Sequence, residues 1–456
     1  MGGIVMPKPN IILINCDDLG YGDLGCCGSP CNKTPAIDRL AREGTRFTDF
    51  YMASPVCSPS RGGMMTGCYP PRIGFGEFDG ECVLFPGQGM GLNPAEDTIP
   101  SVLRGADYRT KIVGKWHCGD QPEFLPRNYG FESYFGLPYS NDMGRQNCSL
   151  KINTPLPLLR DDTVIQQQPD LRALTERYVD ESLAFIEAHQ DEPFFLYLAH
   201  MHVHTPLYAA ERFVRESENG DFGACVAAID WATDCILHKL DALHLAENTL
   251  VIFTSDNGSR GRDGASNAPL RGEKTTTWEG GQRVPCIVRQ PGTVPAGRVS
   301  NALFASIDFL PTFAALGGAA GDFKNPIDGR DRSALLLGDD TAARETFFYY
   351  HRNSLEAVRH GKWKLHVRKK DEIVALLYDL DADIGETQNL YDTQPEIVRE
   401  LQALLDDCRA ELGDEASGIA GTANRPIGRV ANPKPLAVYD KNHPYIIAMY
   451  DRTDIG

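Results

Sequence analysis

The chain reads as an α/β fold: a large mixed, mostly parallel sheet sandwiched by helices, with a smaller C-terminal α+β subdomain. Three observations predict it. Short, near-continuous apolar runs, each bounded by polar, Gly or Pro residues, recur along the first two thirds. Amphipathic helical stripes lie between them. After about residue 330 the pattern changes to shorter strand-like segments split by tight turns and closed by one helical stripe.

The buried-strand runs are Asn10 to Cys16 (NIILINC), Thr110 to Val113, Pro193 to Ala199 (PFFLYLA), Thr249 to Thr254 (TLVIFT) and Val284 to Val288. Several of their residues are β-branched or aromatic, which suits a pleated, buried surface. Val179, Leu183 and Ile186 follow helical spacing, and Val226, Ile229, Ile236 and Leu240 form a second stripe. In the last part, Phe347 to Tyr350, Leu355 to Arg359 and Lys362 to Val367 read as strands of an antiparallel sheet, with His360-Gly361 as a turn. A helix is predicted from about Pro395 to Leu412, with Ile397, Leu401, Leu404, Leu405 and Cys408 on one face. Thr393 and Glu396 stand at capping-box spacing ahead of it. These signals divide the chain into residues 1–335 and residues 336–456, the second ending in a Gly-, Pro- and Asn-rich tail that wraps over the surface.

Composition excludes several classes. The chain has 456 residues, 42% of them apolar, and no apolar run long enough to span a membrane. A net charge of −17 makes nucleic acid and acidic membrane surfaces poor partners. The start, MGGIVMPKPN, lacks the basic, apolar and small-residue regions of a secretory leader. Thirteen cysteines, an odd number with Cys26 and Cys27 adjacent, argue against a disulfide framework and for a reducing, cytoplasmic setting. The alternative is a chain that follows a removed leader. Oligomeric state is not readable.

The chemistry clusters where strands end. Ligands in open α/β sheets collect at the carboxyl ends of strands. Asp17-Asp18 follow the first run directly, and Asp256-Asn257 follow the run at Thr249. Each pair alone reads as ordinary turn chemistry. Together, three carboxylates and an amide oxygen make a hard shell suited to calcium or magnesium. Gly114-Lys115-Trp116-His117 ends a third run, where Lys115 can hold negative charge and His117 can act as a base near neutral pH. On an extended chain these two side chains would project to one face. His200, His202 and His204 follow PFFLYLA. Alternating histidines suggest zinc, but nothing at suitable spacing completes a tetrahedral set.

One short segment gives these groups a shared purpose. Cys57 to Gly67, CSPSRGGMMTG, resembles the type I sulfatase signature, C-x-P-S-R followed by T-G, within the alkaline phosphatase-like superfamily. RGEKTTTWEGGQRVP, around Lys274, is similar to the longer G-K-x-T-x-x-E-G-G-x-R-x-P stretch of that family, and YDLDADIGETQNL fits it as well. The likeness runs from about Pro9 to about Asn389 and is nearest to the arylsulfatase A and N-acetylgalactosamine-6-sulfatase group. Cys118 and Cys68 depart from the usual residues after G-K-W-H and T-G.

The resemblance implies a sulfuric ester hydrolase with residues 1–335 as its catalytic domain. Cys57 would be oxidised to formylglycine (3-oxoalanine) by a maturation enzyme and hydrated to a gem-diol, one oxygen attacking sulfur. Asp17, Asp18, Asp256, Asn257 and the matured Cys57 would hold the metal. Arg61 would orient the diol by charge-assisted hydrogen bonds. Lys115, His204 and Lys274 would bind the sulfate, with His204 or Lys274 protonating the leaving alcohol. His117 would take the proton that releases sulfate, and Ser140 would line the pocket. The implied substrate is a sulfated carbohydrate, N-acetylgalactosamine-6-sulfate-like, or an aryl sulfate. Loops at Gly74 to Pro94 and Asn141 to Asp161 would form the rim. Two readings compete: a phosphonate monoester hydrolase or phosphodiesterase on the same scaffold, and a non-catalytic binder of sulfated sugars if Cys57 stays a thiol.

Overall fold

A computed structural model describes residues 8–144, 154–319 and 323–443. Among these, ten strands form the main sheet. They are β1 (Asn10–Cys16), β2 (Thr45–Phe47), β3 (Arg109–Gly114), β4 (Ser133–Gly136), β5 (Pro157–Arg160), β6 (Thr163–Gln167), β7 (Phe194–Ala199), β8 (Thr249–Ser255), β9 (Cys286–Arg289) and β10 (Arg298–Ser300). Their order is β10-β2-β9-β8-β1-β7-β3-β4-β5-β6. The centre, β8-β1-β7-β3-β4, is wholly parallel. Both flanks carry antiparallel pairs, which makes the sheet mixed.

Every residue of β1 is buried, and its side chains alternate between two cores. Ile11 and Leu13 enter one core and Ile12 and Ile14 the other, the period of two that a strand imposes. Helices cover both faces. α1 (Pro35–Glu43) is on one side and α2 (Cys57–Thr66) and α3 (Ile99–Gly105) on the other. α4 (Leu174–Ala188) and α5 (Gly220–Ala242) pack with α1, and α6 (Phe309–Leu316) packs with α2 and α3. The two helical stripes of the sequence fall on α4 and α5.

The C-terminal sheet is antiparallel throughout, in the order β11 (Thr346–His351), β12 (Ser354–His360), β13 (Trp363–Lys369) and β14 (Glu372–Asp379). α7 (Pro395–Leu412) lays Leu401, Leu405, Cys408 and Leu412 into a core with Phe347, Leu355, Leu365 and Leu377. Ile397 and Leu404 sit at the margin of that face, partly buried.

Three local expectations differ. The Thr393–Glu396 capping box does not form: the N-cap of α7 is Gln394, without a side-chain cap bond, and the Thr393 hydroxyl donates to Leu390 O at 2.9 Å. Pro395 starts that helix by its fixed φ instead. The run at Val284 pairs only from Cys286, because Val284 N–H is already given to Phe50 O. Part of the Asn141–Asp161 rim is the edge strand β5, and its residues 145–153 lie outside the described residues.

Candidate active site

β1, β3, β7 and β8 run parallel, so their carboxyl ends open on one edge of the sheet. That edge delivers Asp17-Asp18, Lys115, the segment from His200 to His204, and Asp256-Asn257 to one place. α2 brings Cys57 in from the side as its first residue. Pro59 sits in the first turn of α2, where a missing N–H costs nothing. All ten residues of α2 are buried, and the helix N-terminus adds partial positive charge beside residue 57.

The carboxylates are matched by permanent cations. Lys115 Nζ lies 2.6 Å from Asp17 Oδ2, Lys274 Nζ 2.8 Å from Asp18 Oδ2, and Arg61 Nε 2.8 Å from Asp256 Oδ2. Arg61 also donates to Lys115 O at 2.9 Å and to Tyr197 OH at 3.3 Å. The Cys57 thiol donates to Asp17 Oδ1 at 3.4 Å. His204 Nε2 is 3.8 Å from Asp18 Oδ2, and its Nδ1 is 4.0 Å from Asp142 Oδ1.

These contacts set the charge states. Burial alone would raise the carboxyls of Asp17 and Asp18, but the facing lysines and His204 outweigh it and hold both below the usual carboxylate range. Burial pushes the Cys57 thiol well above its ordinary value, with Lys115 and Lys274 opposing and Asp17 and Asp256 adding to it. A native thiol here is therefore protonated and a poor nucleophile. Burial, then the Lys115 charge, pushes His117 well below its ordinary value, so its ring is neutral. His117 Nε2 meets Leu84 O at 3.0 Å, which places the ring proton there and leaves buried Nδ1 as a lone pair without a partner.

A cation would find a prepared place. Ligating atoms of Asp17, Asp18, Cys57 and His204 lie within 4.8 Å of one another. Asn257 Nδ2 donates to Asp18 Oδ1 at 2.7 Å, and its buried Oδ1 has no partner. An acceptor-only amide oxygen beside two ionised carboxylates fits a hard divalent ion. Asp256 stands next to this group: its Oδ1 accepts from Asp18 N–H at 3.3 Å while its Oδ2 serves Arg61.

A cavity of about 200 Å³ opens over these groups. Cys57, His117, Ser140, His204 and Lys274 line it. Sequence reasoning missed four charged lining residues, Glu81, Asp142, Arg260 and Glu273. Asp142 lies two residues from Ser140 and could have been found from that neighbour. The others sit on loops whose course no periodicity reveals. Lys115 and His117 do not share an extended chain: β3 stops at Gly114, and His117 turns back with φ +61°. His200 and His202 lie behind the site. Both are buried and line no part of the cavity, and burial lowers them to about 3 and about 4. Among the described residues they join no group able to hold zinc.

Comparison with known proteins agrees with this arrangement. The sulfatase family signature matches residues 9–319. The chain belongs to the sulfatase family. The C-terminal signature of N-sulphoglucosamine sulphohydrolases matches residues 273–411 of this sulfatase. It is 39% identical over 454 residues to human arylsulfatase A, covering 88% of each chain. It is 39% identical over 385 residues to the dog N-acetylgalactosamine-6-sulfatase, covering 80% of this chain and 73% of that one. The crystal structure of Ps i-CgsB with k-i-k-neocarrahexaose superposes with a TM-score of 0.80 at 29% identity, over 91% of this chain and 95% of that one. The protein is thus a sulfuric ester hydrolase of the alkaline phosphatase-like superfamily.

Proposed function

We propose that this sulfatase releases inorganic sulfate from a sulfated carbohydrate, with aryl sulfates as simpler substrates. The observation that carries the reading is the meeting of Cys57, His117, His204 and Lys274 on one cavity, with Cys57 against Asp17. Arylsulfatase A, N-acetylgalactosamine-6-sulfatase and the neocarrahexaose-bound Ps i-CgsB support the substrate class by likeness.

Asp17, Asp18 and Asn257, with residue 57 and Asp256, would hold a calcium or magnesium ion, which when bound supplies Lewis-acid charge beside the sulfate. Formylglycine, made from Cys57 by a maturation enzyme that is this chain's implied partner, supplies a hydrated aldehyde oxygen as nucleophile. The remaining work falls to the chain's own residues. Lys115, Lys274 and His204 present cationic or donor groups to the sulfate oxygens, where they gain as charge shifts to the leaving oxygen. Arg61 bridges Asp256 and the Lys115 carbonyl, which fixes the base of the pocket. His117 accepts a proton at Nδ1, the one ring nitrogen without a partner. Lys274 and His204 stand where a departing alcohol can be protonated. Ser140 and Asp142 border the same space and orient the sugar.

We also place the protein in a reducing compartment such as the cytoplasm, since the twelve cysteines among the described residues are all free thiols. The test of the activity has two parts. Mass spectrometry of the tryptic peptide spanning Cys57 should show sulfur replaced by oxygen, and that preparation should release sulfate from an aryl sulfate. Cys57→Ala should fold but release none. Turnover persisting in clean Cys57→Ala protein would overturn the assignment.

A further inference from the structure

Beside the reaction pocket lies a second cavity, about 620 Å³ against about 200 Å³. Val56, Cys82 and Thr275 line both. Val56 precedes Cys57 in the chain and Thr275 follows Lys274. The second cavity therefore begins one residue away from two of the groups that handle the ester. The partition between them is pinned, because Thr275 N–H donates to Pro55 O at 2.9 Å.

The far wall comes from the C-terminal subdomain. The β11–β12 turn presents Arg352 and the β13–β14 turn presents Lys370 and Asp371. Both cations sit in left-handed backbone, at φ +56° and +52°, where turn chemistry favours Gly or Asn. Long charged side chains are thus held at positions that local conformation alone would give to smaller residues. Arg352 Nη1 donates to Gly80 O at 2.9 Å and lies 3.5 Å from Glu77 Oε2, which ties the turn to the loop roofing the reaction pocket. Lys370 Nζ makes no hydrogen bond or ion pair with another described residue.

The charge balance differs from that of the reaction pocket. There, Arg61, Lys115 and Lys274 answer three carboxylates around a cation site. Here Glu77, Asp371 and Glu415 face Arg352 and Lys370, so acids outnumber permanent cations. An anionic group entering this cavity meets no cation excess. Hydroxyl groups find both donors and acceptors, and the volume falls in the range of small-ligand sites.

We infer that this second cavity is a sugar subsite that holds an uncharged residue joined to the sulfated one. The preferred substrate is then a sulfated oligosaccharide whose sulfated sugar has a neutral neighbour, not a uronate or a second sulfated sugar. This rests on the carbohydrate sulfatase reading above and adds the neighbour's position and charge to it. It also gives the C-terminal hairpins a task that packing does not explain.

The experiment compares kcat/KM of the matured enzyme on three substrates: a sulfated monosaccharide, the same sugar in a disaccharide with a neutral neighbour, and the same sugar with a uronate neighbour. One or two added hydrogen bonds predict a gain of about tenfold for the neutral disaccharide over the monosaccharide. The uronate disaccharide should show no gain. In the Arg352→Ala/Lys370→Ala double variant the ratio of neutral disaccharide to monosaccharide should fall towards one. A wild-type ratio near one, a ratio unchanged by the double variant, or a preference for the uronate would each overturn the subsite. Calorimetry with Cys57→Ala protein and the same three sugars separates the two readings. If no sulfate is released from any substrate but the neutral disaccharide binds more tightly than the monosaccharide, the subsite stands and the hydrolytic reading falls. Equal affinities overturn the subsite whatever the turnover.

Discussion

Two clusters of buried charge lie in this protein, and they are built from nearly the same parts. The first joins Asp17, Asp18 and Asp256 to Arg61, Lys115 and Lys274 at the strand ends. The second joins Asp49, Glu279 and Glu386 to Arg283, Arg359 and Lys364 where the C-terminal sheet meets the segment after Lys274. Burial and charge count do not tell them apart. Satisfaction does. Glu279 accepts from Tyr51, from Tyr349 at 2.9 Å, from Lys364 at 2.8 Å and from Arg283 at 3.1 Å. Lys364 also gives Thr277 O a bond at 2.9 Å. His366 Nδ1 is the exception in that cluster. The first cluster keeps Asn257 Oδ1, Arg61 Nη2 and His117 Nδ1 without partners, beside a cavity. Polar capacity left unused next to open space marks the site that acts; polar capacity fully used marks the one that holds the subdomains together.

The largest expected effect tests the first half of that contrast. Lys274→Ala removes a cation aimed at the transferring group, and kcat on an aryl sulfate should fall about 100- to 1,000-fold. Its stability cost should be smaller, since Asp18 borders a cavity that water can enter. Steady-state kinetics and urea unfolding on one preparation measure both. A stable-state loss with the rate spared would place Lys274 with the second cluster and break the comparison.

Lys364→Met tests the second half. It leaves Glu279 and Glu386 facing each other without their shared ammonium, 2.8 and 3.1 Å away in the native protein. Removing one partner from a buried set costs about 3–5 kcal/mol. Urea unfolding should show that loss, with a kcat decrease far below that of Lys274→Ala. A stability unchanged within error would mean that the cluster is not what couples the C-terminal sheet to the core.

The contrast also sorts what the sequence could disclose. β1, β3, β7 and β8 are fully buried, so their apolar runs are unbroken, and the polar residues that end them stand out as Asp17-Asp18, Lys115 and Asp256-Asn257. Cys57, Arg61 and Lys274 were legible through motifs, because the chemistry fixes their spacing. The second cluster was not. Lys364 lies 85 residues from Glu279, and Arg359 lies 310 residues from Asp49; nothing local links them. The glycines after Glu279 show why that motif persists without touching substrate. A Cβ on Gly281 would lie 1.9 Å from Thr276 O, so the turn that aims Lys274 closes only over glycine. The second cavity escaped for the same reason, since its walls come from hairpin turns that the sheet alone brings back to Thr275.

Asp230 supplies a third case and the smallest expected effect. It is buried without any cation, and its carboxylate accepts from Ala36 N–H at 3.0 Å and Ile37 N–H at 2.9 Å, closing the N-terminus of α1. Burial pushes it up to about 6, and the two backbone bonds only partly offset that. Helix N–H groups therefore hold a buried charge less firmly than the lysines and arginines of the two clusters do. The folded-state value lies above the unfolded 3.8, so the folded chain binds the extra proton between them. Asp230 contributes most below that range, and its contribution shrinks as pH rises through about 6. Asp230→Asn keeps an acceptor for α1 and removes the titration. Its stability relative to wild type should improve by about 1 kcal/mol between pH 5 and pH 8, read by urea unfolding at each pH. A difference that stays flat would mean the helix terminus stabilises the carboxylate as well as a cation does, and the distinction drawn from the two clusters would lose its third case.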